Sequence, residues 1–269
     1  DLLINVTRFF RDAEHFEVLR DTAIRPMVQN SGNEDDIRVW VPGCSSGEEA
    51  YSIAMLFADE CRRQKRSVNI QIFATDIDEQ MLRIAREGTY AQAALADIPE
   101  DMREAYTIAR DGHFQVSAKI RDMIRFSVHS IVRDPPFSNI DLLSCRNLLI
   151  YLNSEPRARM ISMFMFGLRK DGYLLLGPSE TLGPHSDDFE PGNQRWRLYR
   201  KASAHHGLDR ALLTDRQRHT PRMSEPYRNV PEARRPLHMP TVDSLELRNR
   251  DTLIKSYNAL LKRYAPPPI

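Results

Sequence analysis

IRVWVPGCSSGEEAYSIAMLFADECRR (residues 37–63), followed by VNIQIFATDIDEQMLRIAREG (68–88), decides the fold class. The run IRVWV is rich in β-branched residues and closed by Pro42 and Gly43, the pattern of a short strand buried on both faces. Residues 48–63 place Ala50, Ile53, Ala54, Phe57 and Ala58 on one stripe, which predicts an amphipathic helix. VNIQIFATDID predicts a second strand. The helix after it ends at Gly88, a residue suited to the left-handed position that closes helices. Strand, helix, strand, helix is the order of a parallel sheet with helices on both faces.

Outward from this centre the pattern holds in part. Phe16, Leu19, Ala23 and Ile24 fall at helical spacing, and Pro26 is expected to stop that helix before the polar turn NSGNEDD (30–36). Beyond Gly88, residues 99–106 read as a short helix. HFQV (113–116) and IRFSVHSI (124–131) alternate as a small antiparallel hairpin would. The parallel pattern resumes with NIDLLSC (139–145), a helix over 156–167 with Pro156 in its first turn, and the strand GYLLLGPSE (172–180). RWRLYRK (195–201) reads as a last edge strand.

Residues 205–241 are rich in Arg, Pro and His without apolar periodicity, as in a linker. Leu245, Leu247, Leu253, Ile254, Tyr257, Leu260 and Leu261 then mark an amphipathic helix. The expected organisation is an N-terminal helical segment over 1–30 and an α/β domain over 31–203, with an antiparallel insertion at 91–130. A linker over 204–241 and a helix over 242–269 leading towards a further domain complete it.

The 269 residues carry a net charge of +1, against the basic excess of a dedicated nucleic-acid binder. The start DLLINVTRFF is not a signal peptide, and no apolar run reaches the roughly 20 residues that span a bilayer. Cys44, Cys61 and Cys145 form no CxxC pair and His113, His185, His205 and His206 show no ligand spacing. Neither a disulfide framework nor a metal site is expected, and a cytoplasmic location is.

Three segments carry chemistry. In VPGCSSGEEAYSIA (41–54) a glycine loop joins a strand end to a helix start, where open α/β sheets bind ligands. Gly43 lets a ligand approach the backbone. The loop lacks the Lys-Ser/Thr of a P-loop and the GxGxxG of a dinucleotide site. Glu48 and Glu49 open the helix instead; they would repel a pyrophosphate and suit a cation such as an amino acid's ammonium. Plain helix capping by these acids stays open as the alternative. In FATDID (73–78), Asp76 ends the second strand, placed for the two hydroxyls of a ribose, and Asp78 is assigned to the helix cap. A nucleoside site without phosphate binding, beside acids for an ammonium, describes S-adenosylmethionine (SAM) better than NAD or ATP. In NIDLLSCRNLLIYLN (139–153), Arg146, Asn147 and Tyr151 follow an apolar strand and project over the same crevice.

NVTRFFRD (5–12), PGCSSGEEAYSIA (42–54), FATDIDEQML (73–82) and CRNLLIYL (145–152), in this order and spacing, resemble the CheR family of chemotaxis-receptor glutamate methyltransferases. The resemblance covers residues 5 to about 200. It implies a Rossmann-like SAM-methyltransferase fold with a seven-stranded, mostly parallel sheet and a small inserted antiparallel β-subdomain. It implies Asn5, Thr7 and Arg11 over the cofactor and acceptor site, Glu48 or Glu49 on the methionine ammonium, and Asp76 on the ribose. His129 and Ser130 stand beside the adenine, where the family has Asn-Leu, and Arg146, Asn147 and Tyr151 match the family pattern. Arg11 would hold the acceptor carboxylate and Tyr151 line the transfer site. LLKRYAPPPI (260–269) resembles the junction in hybrids where a methylesterase, this methyltransferase and a PAS domain share one chain.

The function so implied is methyl transfer from SAM to glutamate side chains on the cytoplasmic helices of receptors, giving methyl esters and S-adenosylhomocysteine (SAH). The partner is then a protein, with neither nucleic acid nor membrane insertion. The resemblance implies extra Gly-containing residues in the hairpin of the β-subdomain where members dock on a receptor's C-terminal pentapeptide; ARDGHF (109–114) is short, a departure from that pattern that counts against such docking. Two rivals remain: a SAM-binding sensor or scaffold within a signalling hybrid, and a methyltransferase with another acceptor. Retention of Arg11 and Tyr151 favours the enzyme over the scaffold.

Overall fold

A computed structural model describes residues 7–32 and 35–202, all within the compact unit Asp1–Asp215. The expected linker over 204–241 and helix over 242–269 lie outside the described residues. In chain order the helices are α1 (Ala13–Leu19), α2 (Arg25–Asn30), α3 (Glu48–Gln64), α4 (Glu79–Glu87), α5 (Glu100–Tyr106), α6 (Ala118–Arg121) and α7 (Ser154–Gly167). The strands are β1 (Asp36–Pro42), β2 (Asn69–Asp76), β3 (Thr89–Ala91), β4 (Thr107–Arg110), β5 (His113–Val116), β6 (Ile124–Val128), β7 (Ile140–Cys145), β8 (Leu168–Leu176), β9 (Phe189–Asn193) and β10 (Leu198–Lys201).

The main sheet has seven strands in the order β6-β2-β1-β7-β8-β10-β9, and β3-β5-β4 form a separate three-stranded sheet. From β6 to β8 the pairings are parallel; β10 runs antiparallel to both β8 and β9. The expected α/β fold with a small antiparallel insertion is the one present. Alternation along β1 divides the core in two. Val39 and Val41 face the layer of α3, while Trp40 faces that of α7, beside Phe164. Each such buried side chain contributes about 1.5–3 kcal/mol.

Four details differ from the sequence expectations. The first helix does not stop at Pro26. A π turn at Arg20–Ile24, in which the Arg25 N–H donates to the Arg20 carbonyl, precedes Pro26, and the helix continues to Asn30. The wider turn relieves the clash a proline ring makes in a regular helix. Helix α3 is not amphipathic in its first three turns: every residue from Glu48 to Glu60 except Glu49 is buried. The sheet covers one side, and α2, α5 and α6 pack on others. Burial extends to Asp59, whose carboxylate is held by Arg62 and Arg63 at 2.6 Å each and by Arg20 at 3.5 Å, offsetting the cost of a buried charge.

Third, IRFSVHSI does not pair with HFQV. Residues 124–128 form the edge of the main sheet, parallel to β2 with Asp76 opposite Val128, so the expected insertion 91–130 includes a strand of the large sheet. An alternating strand at a parallel edge, exposed on one side, carries the same signature as a hairpin strand. Fourth, RWRLYRK is not an edge. Strand β9 lies outside it; its sequence FEPGN reads as a turn, because Pro and Gly are tolerated in a strand chiefly at an edge.

Candidate functional site

A cavity of about 330 Å³ opens at the C-terminal ends of β1, β2 and β7. There β1 is flanked by β2 on one side and β7 on the other, the reversal of strand order at which open α/β sheets hold ligands. Its lining includes Thr7, Arg11, Gly43, Glu49, Asp76, His129, Ser130, Arg146, Asn147 and Tyr151. Of the residues expected at the site, Glu48 is outside this lining, and Asn5 lies outside the described residues.

The loop after β1 is shaped by its backbone. Gly43 and Gly47 have φ of 69° and 96°, and Ser45 has 49°. A Cβ on Gly47 would stand 2.9 Å from the Ala85 Cβ, so both space and conformation require glycine there. The Cys44 N–H donates to the Thr75 carbonyl (3.0 Å) and the Ser45 N–H to Asp76 Oδ2 (2.7 Å), tying this loop to the end of β2. The Asp78 N–H donates to Asp76 Oδ1 (3.0 Å), while Asp78 caps α4 by accepting the N–H groups of Gln80 and Met81. Asp78 is thus the cap of α4, as expected. Each Asp76 oxygen keeps a lone pair for a hydroxyl.

The two adjacent acids diverge, since successive helical residues point about 100° apart. Glu49 lines the cavity. Its Oε1 accepts from the Ser144 hydroxyl (2.7 Å), and Oε2 lies 3.6 Å from Arg146 Nη1. Burial pushes its carboxyl above the ordinary glutamate range, opposed by Arg146 and the Ser144 hydrogen bond. Glu48 turns to the Ser46 hydroxyl, which donates to its oxygens at 2.9 and 2.7 Å, and burial raises its carboxyl too.

The described part of the NVTRFFRD motif, residues 7–12, reaches the cavity because its two phenylalanines are anchored. Phe9 is 1% exposed and meets Tyr90 edge-on at 4.9 Å; Phe10 packs on Phe16, and its N–H donates to the Ser52 hydroxyl (2.9 Å). Phe10 and Asp12 have φ of 45° and 61°, strained values that this packing holds in place. The chain on either side, Thr7 and Arg11, then faces the cavity.

Arg146 locks this segment from below. Its Nη2 donates to the Arg11 carbonyl and to Asp12 Oδ2, both at 2.7 Å, and lies 3.2 Å from His15 Nδ1; the guanidinium also covers the Phe16 ring at 5.1 Å. Burial and Arg146 lower the His15 proton affinity. A neutral His15 accepts from Arg146 at Nδ1 and donates from Nε2 to the Trp196 carbonyl. Arg146 therefore links Glu49 to the chain that carries Arg11.

His129 and Ser130 follow β6. His129 Nε2 is 3.0 Å from the Pro135 carbonyl and its ring meets Trp40 edge-on; the Ser130 N–H donates to Asp134 (2.7 Å). Tyr151 stands 48% exposed at the mouth, with Ile77, Val132 and Ile150 also exposed on the lining. Sequence reading missed Ser144, Asp12 and His15. Each reaches the site through tertiary contacts alone, except Ser144, whose signal was a hydroxyl in an otherwise apolar strand two residues before Arg146.

Residues 5–198 match the family described as CheR methyltransferase, SAM binding domain. The chain is 36% identical, along its whole length, to an uncharacterized 104.1 kDa protein of Rhodobacter capsulatus, of which it spans only 26%. It is 35% identical over 66% of its length to a chemotaxis protein methyltransferase of Borreliella burgdorferi, covering 65% of that protein. A chemotaxis protein methyltransferase of Vibrio parahaemolyticus is 34% identical over 69% of the chain, with 68% of that protein covered. With a family match across nearly all of the described residues, the chain belongs to the CheR methyltransferase family.

Proposed function

We propose that this chain transfers a methyl group from SAM to glutamate side chains of a protein, in chemotaxis-type receptors, producing glutamate methyl esters and SAH. The observation that carries this reading is the convergence on one cavity of Glu49, Asp76, Arg11 and Tyr151. Glu49 takes the methionine ammonium and Asp76 the ribose hydroxyls through its two remaining lone pairs. Thr7, Gly43 and Asn147 border the cofactor, and His129 and Ser130 stand on the adenine side. Glu48 serves the loop rather than the ligand.

SAM supplies a methyl group activated on a sulfonium. Arg11 holds the acceptor carboxylate, for which a guanidinium offers two parallel N–H bonds. Tyr151 lines the transfer site. A carboxylate oxygen bonds to the methyl carbon as the carbon–sulfur bond breaks, and the electron pair leaves with sulfur. No proton moves, and a glutamate of pKa about 4.3 is already ionised, so the reaction requires orientation rather than a base. Such orientation is worth roughly 7–11 kcal/mol.

The turn between β4 and β5 consists of Asp111 and Gly112 alone, which supports recruitment without a receptor's C-terminal tether. Among the described residues no helix is long and apolar enough to cross a membrane. The deciding experiment is mass-spectrometric mapping of methyl groups on receptor cytoplasmic fragments. Base-labile methylation of glutamate is expected; incorporation that survives base would assign another acceptor.

A further inference from the structure

Glu180 touches none of the cavity, yet its contacts determine the shape of one wall. It ends the GPSE turn after β8 and is 2% exposed. Its Oε2 accepts the N–H groups of Gly177 (2.6 Å) and Asn147 (3.2 Å), and its Oε1 accepts that of Leu149 (2.7 Å). Three backbone donors on one buried carboxylate are charge-assisted bonds of the strong kind. Two of them belong to the loop 146–151, which carries Asn147 and Tyr151 to the cavity.

The arrangement is tight. Asn147 holds φ of 60°, a left-handed conformation that asparagine adopts more readily than most residues. A Cβ on Gly177 would stand 2.8 Å from Glu180 Oε2 and 3.0 Å from the Asn147 nitrogen, so the carboxylate reaches the loop only past a glycine. Gly177, Glu180 and Asn147 form one unit.

We infer that Glu180 is a positioning residue for cofactor binding: its carboxylate fixes the Asn147–Leu149 backbone, the wall that carries Asn147 and Tyr151 to the cavity. This rests on the assignment of the cavity to SAM. The charge reaches Glu49, the acid given to the ammonium. Arg146, Ser144 and Arg11 around Glu49 favour its ionised form, whereas Glu180 disfavours it. Glu180 thus sets a wall of the cavity, and its charge raises the proton affinity of Glu49.

Two substitutions separate these effects. Glu180→Asp keeps the charge but draws the oxygens back by one methylene. Glu180→Gln keeps the length, removes the charge and turns an amide N–H₂ against backbone donors. SAH binding is measured by calorimetry from pH 5 to 8, with thermal melting as the control for folding. Both variants should bind SAH about tenfold more weakly per folded molecule. Only Glu180→Gln should shift the pH at which binding falls to a lower value, because Glu49 ionises more readily once the neighbouring charge is gone.

A residue that only packed the fold would lower the melting temperature and leave both SAH affinity and the pH midpoint of the folded protein unchanged. That result, or wild-type affinity in both variants, overturns the inference. Should Glu180→Gln not fold, wild-type affinity in Glu180→Asp overturns it alone. A wild-type protein that fails to bind SAH and SAM overturns the cavity assignment and the inference with it.

Discussion

Replacement of Glu49 by Gln isolates the charge given to the ammonium. The amide keeps the size of the side chain and an oxygen to accept from Ser144, 2.7 Å away in the parent. Arg146 loses the charge that stands 3.6 Å from its Nη1, but its Nη2 bonds to Asp12 and to the Arg11 carbonyl are untouched. The fold should therefore survive, with a lower melting temperature than the parent's. Ligand affinity should not. A hydrogen bond to a charged group contributes about 1.5–3 kcal/mol, and the Glu49 side chain is only 16% exposed, so solvent screens it weakly. The expected loss is about 10- to 150-fold in Kd for SAH.

The pH dependence adds a second signature. Burial raises the Glu49 carboxyl above its ordinary range in the free protein, and the ammonium requires the ionised form. Affinity should be complete above that raised value and fall as pH drops through it. In Glu49→Gln this dependence should vanish. Glu48→Gln, altering an acid that faces Ser46 instead of the cavity, should stay within about threefold of the parent. Calorimetry from pH 5 to 8 reads all three proteins. A Glu49→Gln protein with parental affinity and parental pH dependence would refute the assignment, and a greater loss in Glu48→Gln would exchange the two acids.

Four further outcomes are expected. Asp76→Ala should weaken SAM or SAH by about 1.5–3 kcal/mol in calorimetry, since it removes the proposed ribose partner and the tie to the Ser45 N–H. Arg11→Lys should keep the charge yet lose most of the methyl-transfer rate, and Arg11→Ala more, with SAM affinity less affected than turnover in a steady-state assay. The turnover rate at saturating SAM should stay nearly flat from pH 6 to 9; a bell-shaped profile abolished in a His129 variant would show an essential base and contradict the mechanism. Gly47→Ala should destabilise the protein by more than about 1 kcal/mol in denaturant melts, from its φ of 96° and the approach to Ala85.

The parallel core was legible because its strands and helices carry local periodicity. IRVWV, IFATD and IDLLSC are apolar runs whose flanks end them, and Gly88 marks its helix end chemically. The cavity was legible for the related reason that strand-to-helix turns in such a sheet all emerge at one end. A motif at the end of β1, one at the end of β2 and one at the end of β7 must therefore meet. Pairing was not legible in the same way. Residues 124–128 alternate whether they join HFQV or β2, and FEPGN looks like a turn until a neighbouring strand supplies its hydrogen bonds.

By itself the sequence determined the doubly wound core, the loop that admits a ligand, and the set of polar residues near it. Local chemistry sufficed for each, since propensity, caps and glycine conformations act within a few residues. Tertiary structure alone decided which of two adjacent glutamates faces the cavity, because that depends on the roll of α3 against Ser144 and Arg146. It alone decided that Arg146 holds the Arg11 carbonyl and the Asp12 carboxylate, 135 and 134 residues away in sequence, and that Glu180 holds the Asn147 and Leu149 N–H groups. Such contacts join segments distant along the chain, and they exist only when packing has fixed both partners and excluded the water that would otherwise satisfy them.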